Sequence, residues 1–107
     1  MGSTHAEAYR VIENAELVAV ADLVPERAQA IASRTGATIR SAAEIIKDPS
    51  IDVIDVCVPP PLHRDIVVAA AEAGKHVFCE KPLARTLEEA EEMLEACKKA
   101  GVKLGVG

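Results

Sequence analysis

The sequence has almost no aromatic residues: Tyr9 and Phe78 are its only members of the Phe, Tyr and Trp group. Hydrophobic residues nevertheless make up 50% of the 107 positions, so the core must consist of Val, Ile, Leu and Ala. Such a chain has enough apolar side chains to fold, and its length is typical of one domain. A core of small branched side chains suits layered α/β packing and offers few rings on which nucleic-acid bases could stack.

The chain also lacks a basic cluster and a long apolar run. Its formal net charge is −5, which argues against a nucleic-acid partner. No apolar run approaches the roughly 20 residues that span a bilayer, and no signal-peptide pattern opens the chain. We therefore expect a cytoplasmic protein without a membrane partner.

Cysteine is scarce and irregularly placed. Cys57, Cys79 and Cys97 are odd in number and widely spaced, which predicts reduced, buried thiols and argues against a disulfide framework. The three histidines do not have the spacing of metal ligands either. We predict no metal site.

Helical and strand patterns alternate along the whole chain. The pattern predicts helices at 4–14, 25–35, 41–48, 62–73 and 86–100, and strands at 17–21, 38–39, 53–58, 76–79 and 102–106. Strands separated by single helices imply right-handed crossovers and parallel pairing. The predicted fold class is α/β: a doubly wound, Rossmann-like parallel sheet with three αβα layers.

Several helix ends carry recognisable signals. Pro25 suits a first helical turn, and Gly36 suits a left-handed cap. Two pairs have capping-box spacing, namely Ser41 with Glu44 and Thr86 with Glu89. The apolar spacing of the last helix predicts a buried stripe of Leu87, Ala90, Met93, Leu94 and Cys97.

Charged residues follow two of the predicted strands. Asp22 follows the strand at 17–21, and Glu80 and Lys81 follow the strand at 76–79. Ligands bind at the carboxyl ends of parallel strands, so charge at these points indicates function. We expect Asp22 and Lys81 to converge on one nucleotide-binding crevice.

The most specific motif runs from Gly-Lys-His-Val at 74–77 to Glu-Lys-Pro at 80–82. With residues 1–6, 17–22, 55–63 and 73–84, this run resembles the N-terminal NAD(P)-binding Rossmann domain of the Gfo/Idh/MocA family (glucose–fructose oxidoreductase and inositol dehydrogenase). The resemblance covers almost the whole chain in the family's order. It implies hydride transfer between a nicotinamide cofactor, NAD rather than NADP, and a secondary alcohol such as a sugar or cyclitol.

Two parts of the family pattern are missing. Members begin with a strand and a Gly-x-Gly-x-x-Gly turn, of which only the third glycine, Gly2, has a counterpart here. That first strand belongs mid-sheet, between the strands that end at Asp22 and Val58. Members also carry a C-terminal domain that selects the substrate. We therefore expect residues 1–107 to be a fragment, incomplete at its N-terminus, with little or no turnover by itself.

The resemblance also implies site residues. Lys81 is expected to be catalytic, holding the substrate oxygen beside the nicotinamide, with Pro82 fixing the turn that aims it. Expected cofactor contacts come from Gly2, Ser3, Asp22, Val58, Pro59, Pro60, His63, Glu80 and Lys81. Gly2 and Ser3 face the pyrophosphate, and Asp22, 20 positions after Gly2, accepts hydrogen bonds from the adenosine ribose.

Structural alternatives stand beside these roles. Asp22 could be a turn residue or could cap the helix that begins at Pro25, and Ser3 could cap the first helix. A capping or packing role for His63 is about as plausible as a cofactor contact. Structural roles are expected for His5, His76 and Lys75.

Two other functions remain open at this stage. The chain could be an NAD-binding sensor or assembly module without redox chemistry, or a truncated product that does not fold. The expected partner is a small molecule, a polyol or sugar. An oligomer is possible in a full-length protein.

Overall fold

The computed structural model describes residues 5, 6, 8, 9 and 14–107. The chain divides into two compact units, residues 1–48 and residues 49–107, called here the first and second units. His5, Ala6, Ala8 and Tyr9 are helical. The rest of the helix predicted at 4–14, apart from Asn14, lies outside the described residues.

Between residues 14 and 48, the first unit contains two short parallel strands and two helices. They are β1 (Ala19–Val20), α1 (Pro25–Thr35), β2 (Thr38–Ile39) and α2 (Ala42–Lys47). Ala19 pairs with Thr38 and Val20 with Ile39. Of the strand predicted at 17–21, only the central two residues pair.

The helix ends of the first unit follow the predicted signals. Pro25 opens α1, and Gly36 closes it at φ 79° with its N–H bonded to the Ala32 carbonyl. The Ser41–Glu44 capping box is complete, because each side chain accepts a hydrogen bond from the other residue's backbone N–H. The predicted bounds of α1 are confirmed.

The second unit is a three-stranded parallel sheet with helices. Its elements are β3 (Val53–Val56), a 3-10 turn (Pro60–Leu62), α3 (His63–Glu72), β4 (His76–Cys79), α4 (Leu87–Ala100) and β5 (Leu104–Val106). The strand order is β3-β4-β5, with Val56 opposite Cys79 and Cys79 opposite Val106. The predicted α/β class with parallel strands is confirmed.

Most of the described buried core belongs to the second unit. Helix α3 packs against α4 and β4. Within the part of the chain that the structure describes, the buried apolar residues are Ala6, Ala28 and Ala37 in the first unit and Ile51, Ile54, Val56, Val67, Ala70, Ala71, Val77, Cys79, Met93 and Cys97 in the second. All three cysteines are free thiols, but Cys57 is only half-buried, contrary to the prediction.

The stripe predicted on α4 is partly wrong. Met93 and Cys97 are buried, whereas Leu87 is 76% and Leu94 is 54% exposed. At about 100° per residue, Leu94 lies about 100° and Leu87 about 120° around the helix from Met93. The buried face of α4 is therefore narrower than its apolar pattern.

The second predicted capping box is only half formed. The Thr86 side chain accepts a hydrogen bond from the Glu89 N–H, as expected. The Glu89 carboxylate instead accepts from the backbone and guanidinium of Arg85. A bidentate guanidinium partner thus replaces the Thr86 N–H as donor.

The predicted single sheet is present as two sheets, of two and three strands. Strands predicted at 53–58 and 102–106 are also shorter, since only paired residues form the ladder. Among the described helices, none has the length and apolar character needed to cross a membrane.

Candidate functional site

Asp22 lies just beyond the carboxyl end of β1 and is exposed. Its Oδ1 accepts a hydrogen bond of 2.8 Å from the Val24 N–H. This bond closes a short turn before α1, whose N-cap residue is Val24 and has no side-chain cap, so Asp22 acts as a turn residue and not as a helix cap. The other carboxylate oxygen of Asp22, Oδ2, takes no part in that bond and can accept a hydrogen bond from a ligand hydroxyl.

Lys81 follows β4 and is exposed to solvent. Its backbone N–H donates to the Gly107 carbonyl at 3.1 Å, and the preceding Glu80 N–H donates to the Val56 carbonyl at 3.0 Å. Main-chain bonds therefore anchor this strand end on both sides. The Lys81–Pro82 peptide bond is cis.

Residues 57–62, named here the proline loop, follow β3. Val58 and Pro60 are half-buried, Pro59 is exposed, and the 3-10 turn closes with the Leu62 N–H bonded to the Pro59 carbonyl at 3.0 Å. Prolines have no N–H to donate. Carbonyl oxygens and apolar ring faces are what this loop offers to a ligand.

His63 opens α3 and is only 1% exposed. Its Nε2 lies 2.6 Å from the Val58 carbonyl oxygen, and its Nδ1 lies 3.0 Å from the Leu83 carbonyl oxygen. Both ring nitrogens thus face main-chain oxygens. This geometry favours the structural alternative for His63 over a direct cofactor contact.

Two cysteines lie near these strand ends. Cys79 Sγ is 3.3 Å from His63 Nδ1, and Cys57 donates to Asp55 Oδ1 at 3.1 Å. Burial raises the pKa of Cys79 to about 11. Burial, with the hydrogen bond to Asp55, raises the pKa of Cys57 to about 12. Both groups are thiols near neutral pH, which is not the state of a cysteine nucleophile.

The remaining predicted residues fall into two groups. Gly2 and Ser3 lie outside the described residues. Glu80 is half-buried at the end of β4. The convergence of residues 22 and 81 on one crevice remains a prediction.

A depression in the first unit does not coincide with these residues. Its volume is about 310 Å³, and it is lined by Tyr9, Ala15, Glu16, Leu17, Thr35 and Gly36. Leu17 precedes β1, whereas Asp22 follows it. The depression therefore lies at the other end of β1 from the predicted ribose-binding carboxylate.

Sequence reasoning did not predict the contact of His63 with Cys79 and Leu83. The signal was indirect: His63 begins the helix between β3 and β4, so its side chain is close to both strand ends once these pair in parallel. Lys75, expected to be structural, is 5% exposed and donates from Nζ to the Ile51 carbonyl at 2.6 Å. His76 Nδ1 accepts from the Lys103 N–H at 3.0 Å.

Comparisons with known proteins agree with this arrangement. Residues 1–107 match the family model described as the Gfo/Idh/MocA oxidoreductase family, NAD-binding Rossmann fold. The chain is 38% identical to myo-inositol 2-dehydrogenase of Thermotoga maritima over 109 aligned residues, which cover 100% of this chain and 33% of that protein.

Solved structures show the same fold. A protein from Sinorhizobium meliloti, provisionally named a myo-inositol dehydrogenase, superposes with a TM-score of 0.96 at 38% identity, over 99% of this chain and 32% of the other. Levoglucosan dehydrogenase in complex with NADH and levoglucosan superposes with a TM-score of 0.87 at 39% identity, over 99% and 31%. The chain spans about a third of the length of the curated relatives it matches.

Proposed function

Because the chain belongs to the Gfo/Idh/MocA oxidoreductase family, with its NAD-binding Rossmann fold, we propose that it holds NAD for hydride transfer to or from a secondary alcohol carbon. The proposed substrate is a sugar or cyclitol, since similar proteins are named for inositol and levoglucosan. One observation carries the proposal: Lys81 projects from a doubly anchored strand end, where a parallel sheet binds ligands.

Asp22 is the proposed ribose-binding residue. Its carboxylate is exposed at a strand end, and its bond to the Val24 N–H fixes its orientation. A carboxylate accepts hydrogen bonds from ribose hydroxyls and repels a 2′-phosphate, so the preferred cofactor is NAD. Arg27, exposed on the next helix, moderates that preference.

Lys81 is the proposed catalytic residue. The nicotinamide ring supplies the hydride chemistry when NAD is bound. The Lys81 ammonium would hold the substrate oxygen by charge-assisted hydrogen bonding and exchange a proton with it. The anchored strand end fixes the Lys81 backbone, and the flexible four-carbon side chain becomes ordered when the substrate binds.

The remaining cofactor contacts are assigned by the same proposal. Val58, Pro59 and Pro60 would contact the cofactor through carbonyls and ring faces, and Glu80 would contact a ribose or orient the Lys81 ammonium. Gly2 and Ser3 would face the pyrophosphate at the start of the first helix. We further propose a cytoplasmic protein with reduced thiols and no nucleic-acid or membrane partner, in keeping with its net charge of −5.

The binding part of the proposal is tested by titrating the 107-residue chain with NADH and following nicotinamide fluorescence. Asp22→Asn should weaken NADH binding by about tenfold or more, because charge-assisted hydrogen bonds are lost, and should narrow the preference for NADH over NADPH. Glu26→Gln is the matched control, since it removes an exposed carboxylate one turn away. Equal loss in both variants would refute the ribose assignment, and no NADH binding by the unmodified chain would refute the proposed function.

The catalytic part is tested by Lys81→Met in the whole protein. The kcat for oxidation of a polyol substrate should fall about a hundredfold or more, as for loss of an acid–base group, while NADH affinity stays within about twofold. Lys98→Met, in the last turn of α4, is the control. Unchanged turnover in Lys81→Met would favour an NAD-binding module without redox chemistry.

A further inference from the structure

The imidazole of His63 contacts two separate loops of the second unit. Val58 belongs to the proline loop after β3. Leu83 belongs to residues 80–86, named here the lysine loop, which follow β4 and carry Lys81. The ring lies between the two loops, with Nε2 at 2.6 Å from one carbonyl oxygen and Nδ1 at 3.0 Å from the other.

Both contacts of the His63 ring require a hydrogen-bond donor on the ring. Carbonyl oxygens only accept hydrogen bonds, so each contact needs an N–H on the ring. A neutral imidazole donates to one carbonyl at a time, and a protonated imidazole donates to both. Because the ring is 1% exposed, water cannot readily replace its nitrogens, and loss of the ring leaves a part-buried carbonyl without this donor.

The lysine loop is fixed at two points on either side of the Lys81 side chain. Before it, the Lys81 N–H is bonded to the Gly107 carbonyl at 3.1 Å. After it, the Leu83 carbonyl meets His63. The same ring also holds Val58, where the proline loop begins its turn toward α3.

From this geometry we propose that His63 is a positioning residue that couples the proline loop to the lysine loop and so fixes where Lys81 meets its substrate. The inference rests on the proposed function of Lys81. It assigns His63 no contact with the reacting atoms. Its effect passes through the main chain of Val58 on one side and Leu83 on the other.

Two conservative substitutions separate the two bonds. The amide nitrogen of His63→Gln can take the position of Nε2, keeping the Val58 bond and losing the Leu83 bond. The amide nitrogen of His63→Asn can take the position of Nδ1, with the opposite result. His76→Gln is the matched control, because His76 is an exposed histidine at the other end of β4.

Amide hydrogen exchange measures the coupling without any nucleotide. In His63→Gln, exchange at the Lys81 N–H should rise about three- to tenfold, the equivalent of one hydrogen bond, while exchange at the Leu62 N–H stays unchanged. In His63→Asn the Leu62 amide should accelerate instead. Equal acceleration of every amide in β3 and β4, or no change at either reporter, overturns the proposal and leaves His63 a general packing residue.

Kinetics in the whole protein then test the consequence for Lys81. His63→Gln should lower kcat about three- to tenfold with NADH affinity unchanged, and His63→Asn should chiefly weaken NADH binding. Normal kinetics in both variants overturn the positioning role while the proposed function stands. If the unmodified protein transfers no hydride, the proposed function fails, and the exchange measurement alone decides whether the loops are coupled.

Discussion

The two units use the same alternation of strand and helix but differ in how much they bury. The second unit pairs strands of three and four residues and buries ten apolar side chains, including Val67, Met93 and Cys79 at 0% exposure. The first unit pairs strands of two residues, and its described buried side chains are three alanines. The second unit thus holds most of the described apolar core, whereas the described residues of the first contribute mainly helix caps and a short ladder.

This difference bears on function. The proposed catalytic residue, Lys81, belongs to the well-packed second unit, and the proposed ribose-binding residue, Asp22, belongs to the first unit, where few of the described side chains are buried. Local opening is easier where few apolar contacts must be broken. We therefore expect precise placement of Lys81 and a more adaptable backbone around Asp22.

The largest expected effect is from truncation in the core of the second unit. Met93→Ala should lower the free energy of unfolding by about 2–5 kcal/mol, because it leaves a cavity around a fully buried site. Ile39→Ala, in a strand residue of the first unit that is 53% exposed, should cost less than about 1 kcal/mol. Urea unfolding followed by circular dichroism measures both. Equal losses of unfolding free energy in the two variants would contradict the proposed difference in packing between the units.

A second prediction uses the thiols, all three of which belong to the second unit. Because the pKa of Cys79 rises from 9.0 to about 11, its thiolate fraction at pH 8 should be about a hundredfold below that of an ordinary cysteine. Alkylation by iodoacetamide at pH 8 should therefore be slow until urea unfolds the unit. Rapid alkylation of Cys79 in the native protein would show that the second unit opens more readily than its packing implies.

The same shift gives a pH dependence. Above pH 9 the unfolded chain ionises its thiols while the folded chain does not, so stability should fall between about pH 9 and 11. Below pH 9 these thiols are protonated in both states and should contribute no slope. Cys79→Ala should reduce the alkaline loss, as urea midpoints across this range would reveal.

The smallest effect comes from paired cap substitutions. Ser41→Ala and Thr86→Ala each remove a side-chain acceptor, worth about 1 kcal/mol. Ser41→Ala should cause local fraying of the six-residue α2. Thr86→Ala should lower the midpoint of global unfolding, because α4 packs in the core of the second unit. Hydrogen exchange detects local fraying, and urea unfolding detects global destabilisation. If both variants caused the same kind of change, the contrast between the units would be contradicted.

The Ser41 variant has an additional readout. Hydrogen bonds from the Ser41 backbone and side chain lower the pKa of Glu44. That stabilisation is present above the ordinary carboxyl pKa and is lost as pH falls through the lowered value. Ser41→Ala keeps the larger contribution, from the backbone N–H, and removes the side-chain one, so in an NMR titration the pKa of Glu44 should rise only part of the way to its usual range.

Local signals predicted the helices well because a cap depends on a few adjacent residues. Pro25, Gly36 and the Ser41–Glu44 pair fixed helix ends that the structure reproduces. The strands at 38–39 and 76–79 have the predicted bounds, whereas those at 17–21, 53–58 and 102–106 were predicted too long. A strand ends where its partner ends, which is information from elsewhere in the chain. Leu87 and Leu94 were misplaced since helical periodicity gives an apolar face without saying how much of it is covered.

Part of the candidate site was predictable because it also depends on local sequence signals. The charges of Asp22 and Lys81 at strand ends are visible in the sequence, and the structure finds both exposed beside those ends. The environment of His63 was not predictable, because its partners are two backbone carbonyls, 5 and 20 residues away, and the Cys79 thiol, 16 residues away. The sequence pattern does not predict which backbone carbonyl a buried imidazole ring will contact.

That His63 meets only carbonyl oxygens in these two loops leaves positions 58 and 83 chemically unconstrained by it. Any residue with a normal peptide group presents the same acceptor. New side chains at these two positions should therefore change the surface of both loops while the ring keeps its contacts with their main chain.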